Sequence, residues 1–129
     1  MLTKQKGDVA LGRAISYFLS NGYEVCLPIG DKRDYDLIVE KEGALARVQV
    51  KYGGLYQGRL KCRVALRVMG GNQSFHTIKK YKAGAFEYLF VHTAKGETYL
   101  IPWDDNIVGM SELSIEAPKY SSYKLLMQG

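Results

Sequence analysis

Sulfur and long apolar runs are scarce in this chain. It has only two cysteines in 129 residues, Cys26 and Cys62. Their spacing fits neither a metal-binding nor a redox pair, so a disulfide framework and a zinc module are not expected. Each lies within an apolar strand pattern, which predicts two buried free thiols in a reducing compartment. No run of 18 apolar residues occurs, so no membrane span is expected. The basic N-terminus, MLTKQKGDVALG, lacks the apolar centre and cleavage site of a secretory signal. The expectation is an intracellular, cytoplasmic protein. The two histidines, His76 and His92, stand apart from each other and from other metal-ligating side chains. No internal repeat or low-complexity tract is present.

Hydrophobic residues make up 47% of the chain, enough for one folded domain spanning residues 1–129. The net charge is +5. That balance favours an anionic partner such as nucleic acid, although many small basic proteins bind none.

Hydrophobic periodicity sets the coarse order. Leu11, Ala14, Ile15, Phe18 and Leu19 share one face of a helix predicted over residues 6–21, with Gly22 as its stop. A short strand is predicted at 23–27, then a polar loop at 29–34 and a hairpin at 35–51. Residues 59–68 alternate apolar Leu60, Cys62, Val64 and Leu66 with Arg59, Lys61, Arg63 and Arg67, which predicts a further strand. Residues 74–82 read as a short polar helix or loop. A second hairpin is predicted at 88–92 and 97–101, and a helical turn at 103–110. Helix, strands, helix and strands together predict an α/β or α+β domain with the first helix on a central sheet.

The first hairpin has an unusual interior. With Glu42-Gly43 as a two-residue turn, Leu37 opposes Val48, Val39 opposes Ala46 and Tyr35 opposes Val50, giving one clean apolar face. On the other face Asp36 lies opposite Gln49, with Lys51 diagonal to it. A three-residue turn would mix the faces. A carboxylate, an amide and an ammonium therefore converge. The carboxylate of Asp36, the amide oxygen of Gln49 and the backbone carbonyl of Val50 are hard donors suited to Mg2+. A site of that kind activates water near neutral pH, and Lys51 would stabilise charge developing on a phosphoryl oxygen. The plainer alternative is a solvated sheet face on which Asp36 and Lys51 form an ordinary surface pair.

At these residues the sequence resembles the PD-(D/E)XK nucleases, which carry an acid at the start of one strand and an acid-x-Lys tripeptide on the next. Asp36 and Gln49-Val50-Lys51 occupy those positions. With glutamine in the tripeptide, and with the run from KGDVALG through YDLIVE to RVQVKYGG (residues 6–54), the resemblance is closest to the homing endonucleases encoded in group I introns. It implies a restriction-endonuclease-like fold with a central mixed sheet and a packed N-terminal helix. It also implies Mg2+-dependent cutting of double-stranded DNA at a long, roughly palindromic site by a homotetramer, with Mn2+ or Ca2+ as substitute cations. The family's first helix carries an acid in a K-G-D-x-x-E-like pattern. Here Lys6, Gly7 and Asp8 fit, but Leu11 stands at the glutamate position. Asp8 is a candidate substitute ligand. A catalytically disabled, DNA-binding form of the fold is the alternative reading.

Arg59, Lys61, Arg63 and Arg67, on a basic strand at about 57–68, are the expected DNA contacts. In a strand, cations two residues apart lie roughly 6 to 7 Å from each other, near the phosphate repeat. Gln57, Asn72, Gln73, Ser74 and His76 are candidate polar contacts, and Lys79, Lys80 and Lys82 candidate phosphate contacts. A covering of surface charge on a soluble edge is the bland alternative for the basic strand. The second hairpin and the tail at 120–127 are candidate subunit interfaces.

Overall fold

The computed structural model describes residues 1–30, 32–56, 58–67 and 79–126. The chain begins with α1 (Thr3–Ser20), which ends where the glycine stop predicts: Gly22 has φ +83°, and the Tyr23 N–H reaches back to the Phe18 carbonyl at 3.0 Å. The strands follow as β1 (Glu24–Cys26), β2 (Leu37–Lys41), β3 (Ala44–Gly53), β4 (Val64–Ala65), β5 (Tyr88–Thr93), β6 (Thr98–Pro102), β7 (Glu112–Leu113) and β8 (Lys124–Leu125), with a 3-10 helix at Pro118–Tyr123. Six of them form one mixed sheet in the order β1-β2-β3-β5-β6-β8. Only β3 and β5 run parallel, and β4 pairs with β7 in a separate small sheet.

The first hairpin takes the predicted register. Leu37 faces Val48, Val39 faces Ala46 and Lys41 faces Ala44. Glu42 and Gly43 turn it with φ values of +52° and +84°, the backbone of a two-residue primed turn.

Each face of the sheet has its own core. Ala10, Ala14 and Phe18 of α1 pack on Leu37, Val39, Val48, Val50 and Phe90. The opposite face buries Leu89, Val91, Tyr99 and Ile101 under Val64, Leu66, Tyr81, Phe86, Trp103, Leu113 and Ile115. Adjacent residues of β3 therefore serve different cores, and Gln49 and Lys51, in register with Leu89 and Val91, belong to the second face. Gly53 lets the returning chain cross closely there: an added Cβ would lie 3.2 Å from the Thr93 methyl and 3.5 Å from a Val64 methyl.

Several expectations need correction. Cys62 is buried, but Cys26 is exposed, because β1 is an edge strand with a largely solvated surface. The strand predicted over 59–68 shrinks to Val64–Ala65, flanked by single bridges from Gly54 to Arg63 and from Arg67 to Lys80. Leu60 fits the alternation yet is exposed, so the pattern's first repeat packs against nothing. The second hairpin is present inside the sheet, with most of its apolar side chains covered by this same chain and Tyr88 exposed. Residues 103–110 form turns after the Trp103 position, anchored on the Asp104 carbonyl. No helix among the described residues is long and apolar enough to cross a membrane.

Candidate active site

Three neighbouring strand positions build the site. Asp36 lies just before β2, one residue past the last regular pair of the hairpin. It does not simply face Gln49 as the turn arithmetic predicts. Its N–H goes to the Val48 carbonyl at 2.8 Å, and its Oδ2 accepts the Val50 N–H at 2.8 Å. The carboxylate is thereby pinned across the centre of β3. Its other oxygen, Oδ1, forms no hydrogen bond with the described residues.

Gln49 is 7% exposed, and its Nε2 donates to the Val50 carbonyl at 3.3 Å. That contact is long, and it turns the amide nitrogen, rather than the amide oxygen, toward the Val50 carbonyl. Lys51 follows on the same face, with its ammonium 5.2 Å from the centre of the Tyr81 ring. Cation–π attraction of this kind holds an ammonium without neutralising it.

The electrostatics separate this group from a surface pair. Burial pushes the Asp36 carboxyl up, against the opposing pull of the Val50 N–H and the nearby Lys51 charge. Burial pushes the Lys51 ammonium down, and Asp36 pulls it back up. Tyr81 is pushed up to about 12 by burial, and then by the negative charges of Asp36 and Asp34. Both charged partners are thus held at a desolvation cost, without a direct ion-pair contact recorded between them. Groups kept charged in this way mark candidate functional sites.

The remaining predicted residues divide clearly. Leu11 packs against the helix-side core, and Asp8 is exposed on α1. Arg63 is bound by Glu112 at 2.8 Å and also reaches Ser114. Arg67 turns inward, its Nε buried and without a hydrogen-bond partner among the described residues. Arg59 and Lys61 are exposed, as are Lys79, Lys80 and Lys82, although the Lys80 ammonium is tied to the Gly109 carbonyl at 2.9 Å. Gln57, Asn72, Gln73, Ser74 and His76 lie outside the described residues. His92 is buried and hydrogen-bonded to Thr98 at 3.2 Å.

Tyr81 and Asp34 are the participants that sequence reasoning missed. Asp34 had a local signal, two positions before Asp36 in the DYD run. Tyr81 had none, because it comes to Lys51 from 30 positions away in the chain.

A divalent cation is implied by the chemistry of the donor set. Among the described residues no three His, Cys, Asp or Glu side chains cluster. The candidate donors are one carboxylate, one carboxamide oxygen and one backbone carbonyl. All are hard oxygens, and few protein ligands suffice for Mg2+, which keeps several waters. The Oδ1 of Asp36, without a hydrogen bond to the described residues, makes the set compatible with such an ion. Two partly open clefts of about 270 Å3 lie elsewhere among the described residues, one by Ile107 and Tyr120 and one by Cys62 and Glu116.

The fold is that of a nuclease family. The chain belongs to the PD-(D/E)XK endonuclease family, whose model matches residues 1–124. It is also similar to a solved bacterial homing endonuclease, I-Ssp6803I, at 26% identity and a TM-score of 0.77, over 96% of this chain and 89% of that one. Comparison with curated protein sequences gives no significant match.

Proposed function

We propose that this protein is a Mg2+-dependent, site-specific endonuclease of the intron-homing kind, acting on double-stranded DNA as a symmetric homo-oligomer, with a tetramer as in the group I branch. The observation that carries the reading is the pair of half-buried charges, Asp36 and Lys51, set around a buried amide on adjoining strands. A surface salt bridge needs no burial, whereas phosphoryl transfer needs fixed charge in a partly dried site.

Each residue then has a distinct task. Asp36 Oδ1, the Gln49 amide oxygen and the Val50 carbonyl would hold the cation. When bound, that ion supplies Lewis-acid stabilisation of the phosphodiester and a source of activated water. The Val50 N–H fixes the orientation of Asp36 through Oδ2. Lys51 places positive charge where the phosphoryl oxygens become more negative. Tyr81 braces the ammonium through its ring and keeps its proton at neutral pH. Two-fold relations between copies would present one such site to each strand, since one small domain carries a single site.

Incubation with genomic DNA and Mg2+, followed by mapping of new ends, tests the reading. Discrete recurrent ends are expected from the parent protein and none from Asp36→Asn or Lys51→Ala, with DNA binding kept. Undiminished cutting by either variant removes the assignment.

One observation favours a second reading, a DNA-binding protein on a disabled nuclease scaffold: Leu11, at the family's acid position, is packed into the helix-side core. If the parent is inert and Leu11→Glu restores cutting with Mg2+ or Mn2+, that reading holds.

A further inference from the structure

Beyond the cluster, the loop that follows β3 has an unusual tip. Leu60 is 86% exposed, and its neighbours Arg59 and Lys61 are exposed as well. Leu55 and Tyr56 add further open apolar surface at 46% and 51% exposure. A loose loop would explain such exposure cheaply, but the base of this loop is firmly held. Gly54 and Arg63 exchange backbone hydrogen bonds of 3.0 and 2.9 Å. The Cys62 N–H donates to Glu116 at 2.5 Å, with the Cys62 side chain fully buried. Arg63 is fastened to Glu112. The Arg59 N–H closes a turn onto the Tyr56 carbonyl at 2.9 Å.

An anchored projection therefore ends in an apolar side chain between two exposed cations that form no ion pair among the described residues. An apolar protein surface would leave those cations unpaired, and a simple polyanion would leave the leucine in water. Duplex DNA offers both parts at once, an apolar gap between stacked bases bordered by phosphates. Side chains such as leucine enter base steps, unstack them and kink the duplex. The position suits this role. Gly54 directly follows the end of β3, three residues beyond Lys51 and roughly 10 Å along an extended chain. The returning segment crosses the face that carries Gln49 and Lys51.

We propose that this tip is a wedge for duplex DNA: Leu60 enters a base step beside the cutting site, while Arg59 and Lys61 hold the flanking phosphates. The inference rests on the DNA-acting function above for its partner, but not on catalysis. Bending of this kind lets a protein select sequence by deformability at positions whose bases it does not contact.

The test needs no known target. Binding is measured by fluorescence anisotropy in EDTA, on a short mixed-sequence duplex and on the same duplex with a central mismatch. A mismatched step is already partly unstacked, so the parent protein prefers it by on the order of tenfold. Leu60→Ala removes the preference, losing more affinity for the mismatched than for the intact duplex, and Leu60→Phe retains it. Replacing Arg59 and Lys61 together by alanine weakens binding to both duplexes and lowers the salt slope by about two. Equal affinities for the two duplexes in the parent would overturn the wedge. So would a preference unchanged in Leu60→Ala, or light scattering showing that Leu60→Ala dissociates the protein and so marks a contact between copies. Failure of the nuclease reading shows separately, as absence of cutting with Mg2+ while the mismatch preference persists.

Discussion

The two sides of strand β3 carry opposite investments. Val48 and Val50 point toward α1 and join a dry core with Phe18 and Phe90. Gln49 and Lys51, between and beyond them, point the other way into a place with charge and few partners. The first side contributes the hydrophobic free energy that makes the strand a strand. The second holds Asp36 and Lys51 under partial burial, which disfavours the charged form of each. A fold under selection for stability alone would extend the valine pattern through both faces. The contrast marks the candidate site.

The largest stability effect belongs to the helix side. Phe90→Ala removes a fully buried ring between α1 and the sheet and is expected to cost about 3–5 kcal/mol in urea unfolding. A loss under about 1 kcal/mol would mean that this face is not the principal core. Across the strand the effects reverse in kind. Lys51→Met keeps most of the side-chain volume and removes a desolvated charge. Cutting should fall by about a hundred- to a thousandfold, while the urea midpoint holds or rises. A comparable fall in both would show Lys51 to be structural.

Titration sharpens the contrast between two acids. Burial raises the folded-state pKa of Asp36 above its ordinary value, so its protonated form favours the fold. Its contribution is fully present below the ordinary aspartate range and is lost as pH rises through the raised value. The stability of the parent minus that of Asp36→Asn therefore falls across that window; a flat difference contradicts the burial assignment. Glu87 behaves in the opposite sense. The hydrogen bond from Arg47 lowers its pKa, so its contribution is present above the ordinary glutamate range and lost as pH falls through the lowered value. Both side chains of that pair are about two-fifths exposed, at 39% and 41%. Arg47→Ala should cost only about 0–1 kcal/mol, the smallest effect here, and a larger loss would show that its bond to the Gly84 carbonyl matters more than the ion pair.

How much of this was legible in the chain follows from where the constraints lie. The first hairpin could be read to the residue because one register gives an apolar face and because Glu42-Gly43 suits a primed turn. The meeting of Asp36 with the Gln49-Val50-Lys51 strand came from the same pattern. The Asp36 bonds to the Val48 and Val50 backbones did not, since alternation stops where the ladder ends. The segment 59–67 misled because four apolar residues alternate there, while only Cys62, Val64 and Leu66 find a core. Leu60 has the right spacing and nothing to pack on. Cys26 sits in an apolar run on an edge strand, and an edge is a property of the whole sheet rather than of the run. The brace from Tyr81 needed the tertiary fold, because no local pattern connects KYKAG to RVQVK.

The central claim is that Asp36, Gln49 and Val50 together hold a divalent cation beside Lys51. Paramagnetic relaxation measured on isotope-labelled protein during Mn2+ titration tests it most directly. Enhancement centred on the amides of Asp36, Gln49, Val50 and Lys51, displaced by Mg2+ and lost in Asp36→Asn, is the expected result. Enhancement centred elsewhere, or unchanged in Asp36→Asn, would contradict the account.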